Sequence, residues 1–169
     1  MTRLRAALTA LALAVTVLLT GCTQGAATTT AVVNGVVVRE STVDAIMTAL
    51  GDVSTNKAQA HSIIVVTLVR GELARQIAKQ KNITLAPADL AALSDRDPAL
   101  AAFLATNEGR LFADEAAAWE QLKTELTADA LEATVKAQDV QLNPRYGTWA
   151  ASAASFSSGS GSLSEVIGA

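Results

Sequence analysis

Ala31-Val32-Val33-Asn34-Gly35-Val36-Val37-Val38 places Asn-Gly between two runs rich in β-branched residues. Both central positions of a two-residue hairpin turn need positive φ, which Asn and Gly tolerate, so the stretch predicts a β-hairpin. The Val runs lack polar alternation, which implies strands whose two faces are both covered by other parts of the chain. A two-stranded ribbon alone is marginal in water, so the rest of the fold must supply that cover.

Downstream, the pattern turns helical. Ser41 is placed to cap a helix in which Asp44 favours the positive terminus, and Val43, Ile46, Met47 and Leu50 form an apolar face that ends at Gly51. A long second helix is expected from Thr55 or Asn56 to Lys81. It is apolar nearly all round between Ile63 and Val69, where it should be central to the core; further on, Leu73, Ala74, Ile77 and Ala78 keep to one face and Arg75, Gln76, Lys79 and Gln80 lie on the exposed side. Pro87 suits the first position of a short helix through Leu93, and Pro98, capped by Asp97, that of another ending near Thr106-Asn107. From Leu111 onward, Phe112, Ala116, Trp119, Leu122 and Leu126 recur at helical spacing, and Leu131 and Val135 extend the stripe past Thr127, as one helix or two. Val140-Gln141-Leu142 alternates before Asn143-Pro144, the pattern of a short strand ended by a turn. The fold class expected is mainly α with a small β-sheet, α+β, the hairpin and a C-terminal strand closing a helical body.

Upstream, Leu19-Thr20-Gly21-Cys22 ends an apolar run that follows Arg3 and Arg5. The run is too short for a membrane span of about 20 residues and has the layout of a secretory signal, while the tetrapeptide resembles a bacterial lipobox. Cys22 would become the mature N-terminus, lipidated through a thioether. Two acyl chains hold a protein on a membrane durably where one does not. Residues 1–21 are then the signal peptide, 22–30 a flexible tether, 31–149 the folded domain and 150–169 a Ser/Gly-rich tail whose low-complexity stretch begins at Ser152. Cys22 is the only Cys, so no disulfide forms within one chain. With the signal removed, 11 basic residues face 16 acidic ones, a formal charge of −5, and none of the basic residues form a run. That balance argues against nucleic acid as a partner.

The order of hairpin, capped helix, long helix, further helices and the closing Asn143-Pro144-Arg145-Tyr146-Gly147-Thr148-Trp149 resembles the N-terminal chaperone domain of the SurA and PrsA type foldases. The matching residues are 31 to 38, Ser41 to Asp44 and Val140 to Trp149. The resemblance implies that the strand before Asn143-Pro144 joins the hairpin in one sheet. It also implies a chaperone-like module that holds unfolded or extended segments of exported proteins, lipid-anchored to the cell membrane on its extracytoplasmic face. Such foldases often add a parvulin-type isomerase domain of about one hundred residues with a pair of His. Twenty residues follow Trp149 and the chain has one His, so no isomerase activity is expected. The alternative is a structural or adaptor lipoprotein that binds one specific folded envelope partner.

Residues of the types that carry chemistry have simpler readings. His61 lacks a second His or free Cys and is expected on a helix surface or in the core. Asp95 with Asp97, and Asp114 with Glu115, sit where acidic side chains stabilise helix starts. No nucleophile elbow, phosphate cradle or metal cluster is visible, so no enzyme, cofactor, metal site or small-molecule substrate is expected. Tyr146, Trp149 and Phe156, half of the six aromatics, either contact clients or pack the closing strand on the helices. Packing is the expectation for Tyr146 and Trp149. Arg145 is placed to bond turn carbonyls or an acid such as Glu40.

Overall fold

In the computed structural model, which describes residues 28–51 and 56–157, Asn34 and Gly35 both adopt positive φ, 47° and 84°. They join β1 (Thr29–Val33) to β2 (Val36–Arg39) in an antiparallel hairpin. Asn34 does more than turn the chain. Its amide donates to Gln76 at 2.6 Å and to Gln138 at 2.8 Å, and its carbonyl oxygen accepts from the Asp139 backbone at 2.8 Å. Gly35→Val is expected to cost more than about 1 kcal/mol, because a β-branched residue is strained at positive φ. An unchanged melting temperature would contradict that.

β3 (Val140–Leu142) pairs antiparallel with the free side of β1, giving the order β2-β1-β3 and bringing the two ends of the domain together. The central strand is the buried one, with Thr30, Ala31 and Val33 fully covered. β1 therefore begins inside what the sequence suggests is tether, since Thr29 pairs with Arg39 and Thr30 is a core residue. The expectation that both Val runs are covered fails for β2. Val36 and Val37 are 46% and 45% exposed, because the strand lies at the sheet edge.

Between the strands lies a helical body of α1 (Glu40–Leu50), α2 (Lys57–Lys81), α3 (Leu90–Arg96), α4 (Ala101–Leu104), α5 (Asn107–Glu125) and α6 (Ala128–Lys136). The protein is thus mainly helical with a small antiparallel sheet. α1 starts one residue before Ser41, which makes no cap. Its first residue, Glu40, is instead fixed by its backbone N–H to Thr28 and by its side chain to Thr30. α2 is capped by Asn56, which accepts from Gln59, and ends at Asn82 in the left-handed conformation. Its buried stripe runs the whole length: Leu73, Ala74 and Ile77 are fully covered on the apolar face expected of the second half, whereas Ile63 in the first half, expected to be covered, is 49% exposed.

The proline at position 87 misleads. Pro87 lies in a segment outside helix and strand that α5 holds by three hydrogen bonds, Gln121 bonding both backbone groups of Ala86 and Asp114 accepting from Ala88. α3 accordingly starts later, capped by Asp89. Pro98 opens only a 3-10 turn, capped by Asp97, ahead of the four-residue α4. Thr106 then caps α5 ahead of Leu111, and Thr127 caps α6, so the long apolar stripe is two helices.

The tail also starts later than expected. β4 (Thr148–Ala150) and β5 (Ser155–Ser157) form a second antiparallel pair in which Trp149 opposes Phe156. Arg70 of α2 fastens the turn between them, its Nε donating to the Ala154 carbonyl at 2.6 Å. One core cluster joins β1, α2, α5 and α6 through Val33, Leu73, Ile77, Trp119, Leu122 and Val135. The other joins α1, α2, α4 and α5 through Val43, Ile46, Val65, Leu68, Phe103 and Ala113.

Candidate functional site

α3, the 3-10 turn and α4 are each too short to form a stable helix alone, and α3 buries none of its residues. They are held on α5 through the Ala86 and Ala88 contacts, and their apolar side chains face an alanine-rich stretch of it. The small side chains of Ala116 and Ala117 leave space, so an open cleft of about 310 Å³ remains. Leu50, Leu93, Leu100, Phe103 and Phe112 line it, and Glu120 is its one charged residue. Phe103 and Phe112 meet edge to face with centroids 6.0 Å apart. Such a cleft offers apolar contact and almost no directional bonding.

A polar cluster lies where the first and last segments of the domain meet. The Glu40 carboxylate accepts from Thr30 at 2.6 Å and from the Tyr146 hydroxyl at 2.6 Å, and pairs with Arg145. His61 of α2 stacks on the Tyr146 ring at 5.5 Å and approaches Glu40 at 3.7 Å, while the Arg145 guanidinium lies over that ring too, 4.7 Å from its centroid. Burial works to raise the Glu40 carboxyl, but the hydrogen bonds from Thr30, Tyr146 and Arg145 outweigh it and hold the group below the usual carboxylate range. Burial and the Glu40 charge push the Tyr146 phenol up to about 12. Glu40, Asp44 and His61 bring ligand atoms within 4.8 Å of one another. The Arg145 guanidinium already neutralises the Glu40 carboxylate, so a metal ion there would face a resident cation.

A third cluster joins α2 to α5. Glu115 is 2% exposed and pairs through Oε1 with Arg75 at 2.5 Å, which also bonds Glu72 at 2.9 Å. Its other oxygen, buried against Gly71, has no hydrogen-bond partner. Burial pushes the Glu115 carboxyl up, and the Arg75 charge offsets this only in part.

The residues nominated from sequence fall into structural roles. Asp97 caps a turn as expected, but Asp114 and Glu115 lie in the middle of α5, so the capping expectation is wrong for both. Tyr146 is half-buried over Glu40. Trp149 packs against the sheet-side cluster, with its indole N–H buried and unbonded, and Phe156 packs against the other cluster rather than lying in a tail. Arg145 chooses Glu40. The lipidation residue Cys22 and the signal at 1–21 lie outside the described residues. Among the described residues no helix is long and apolar enough to cross a membrane. The cleft was not foreseen, although two of the three Phe, nine residues apart and flanking a change of helix, were its available signal. No protein-family model, no curated protein and no solved structure matches this chain.

Proposed function

We propose that this chain is an extracytoplasmic lipoprotein, anchored through Cys22, that holds apolar, extended segments of exported proteins as a chaperone-like module without isomerase activity. The apolar cleft beside Phe103 and Phe112 carries the reading, because it takes up a client side chain by burial alone and so favours no one sequence. The valine-rich edge of β2 supports it by offering unpaired backbone to an extended chain. The hairpin joined by the strand before Asn143-Pro144 agrees with what a SurA-like N-terminal domain requires.

Binding energy would come from apolar surface at about 25 cal/mol per Å² removed from water, less the ordering of a flexible client. A labelled extended peptide rich in Leu and Phe is expected to bind with a Kd of about 1 to 10 μM, nearly independent of salt. Failure to bind any such peptide, with tight binding to one folded envelope protein, would establish the adaptor reading instead. Cys22→Ser is expected to leave an unprocessed or released protein in membrane fractionation, since no other residue forms the thioether. A mutant that matures normally and stays in the detergent phase would refute the anchor.

A further inference from the structure

Beside β5 the exposed side of α2 forms a second groove of about 320 Å³, lined by Gln59, Ile63, Val66 and Arg70 of α2 and by Phe156 of β5. Ile63 is 49% exposed, the most exposed of the large hydrophobic residues described. Arg70 bonds the Ala153 and Ala154 carbonyls and lies over the Trp119 ring, yet no carboxylate among the described residues comes within ion-pair distance of it. The groove thus sets the exposed Ile63 and the partly exposed Val66 and Phe156, among the polar Ser62, Thr67 and Ser155, beside a half-buried cation.

The described chain ends at Ser157, next to Phe156 on the wall of this groove. The sequence continues as Ser158-Gly159-Ser160-Gly161-Ser162 and then Leu163-Ser164-Glu165-Val166-Ile167. We infer that the segment Leu163 to Ile167 is the occupant of this groove, its apolar side chains covering Ile63 and Val66 and Glu165 pairing with Arg70. The linker suits the task. Five Gly and Ser residues span about 12 Å on average and at most about 17 Å, while the helix rises about 10 Å from Ile63 to Arg70. A linker of that length gives an effective concentration on the order of millimolar, enough for a small apolar contact to stay closed. Leu163, Val166 and Ile167 recur at i, i+3 and i+4, the spacing that brings three side chains to one side of a helical turn, with Ser162 and Glu165 at capping-box positions.

Docking of this segment is independent of client binding and is tested without any client. Hydroxyl-radical footprinting of the full chain in detergent reads the accessibility of Ile63 and Phe156, and hydrogen exchange reads the amides of 163–167. In the unaltered chain, labelling of Ile63 and Phe156 is expected to be at least about threefold lower than in Val166→Asp, with Glu165→Arg shifted the same way and exchange at 163–167 slowed about tenfold. Both substitutions fall outside the described residues, and an unchanged melting temperature checks that the body stays folded. Equal labelling of Ile63 in all three chains would overturn the inference, whether or not 163–167 is protected, since protection without cover at Ile63 means docking elsewhere.

Discussion

Gly71→Val is expected to cost more than about 3 kcal/mol and to lower the melting temperature by about 10 °C or more. A Cβ at position 71 would lie 1.8 Å from Glu115 Oε2, 2.6 Å from Glu115 Cβ and 2.8 Å from Glu115 Cα. A rotamer change relieves only the first overlap. The other two involve atoms fixed by the α5 backbone, so α5 must move off α2 and open the packing of Val69 and Leu73 against Ala118, Trp119 and Leu122. A valine variant melting within about 2 °C of the parent would contradict the close approach of the two helices.

The second large effect is expected for Glu40→Ala, at about 2 to 4 kcal/mol. The substitution leaves the Thr30 hydroxyl fully buried without its acceptor and takes the partner from both Tyr146 and Arg145. Its pH dependence has a definite sign. The Glu40 carboxyl is held below its ordinary value when folded, so its contribution is present above the ordinary carboxylate range and is lost as pH falls through the lowered value. Glu115 acts in the opposite sense. Its carboxyl is raised by burial, so its contribution is full below the ordinary value and is lost as pH rises through the raised one. The stability difference between the parent and Glu40→Ala should therefore shrink on acidification. A difference that stays constant from about pH 7 to pH 3 would remove Glu40 from the acid-sensitive groups.

Local signals were legible where one residue type decides the backbone. Asn34-Gly35 allows the turn, and Val140 to Leu142 alternates because one face of β3 is covered. The rest depended on partners distant in sequence. Val36 and Val37 read as covered strand because a run of Val carries no mark of whether its strand will lie at an edge. Pro87 read as a helix start because the contacts that hold its segment out of a helix come from Asp114 and Gln121, 26 and 35 residues from the groups they bond. Residues after Ser152 read as tail because Ser and Ala look alike in linkers and in short strands, and what fixes them is Arg70, 84 residues from the carbonyl it bonds. The apolar cleft escaped for a related reason. It exists because Ala116 and Ala117 are small where Phe103 and Phe112 are large, a mismatch between helices that helical periodicity does not report.

The proposed holding activity is tested most directly by light scattering of a chemically unfolded client diluted into buffer with the protein, with its Ala116→Glu variant, or with neither. Ala116 lines the open cleft and is only partly buried, so the variant places a charge on that surface and is expected to keep its melting temperature. The parent chain is expected to delay aggregation at near-micromolar concentration and Ala116→Glu to lose most of the delay, with neither accelerating proline isomerisation in a parallel peptide assay. Equal protection by parent and variant, or no protection by either, would contradict the cleft as the site that holds a client.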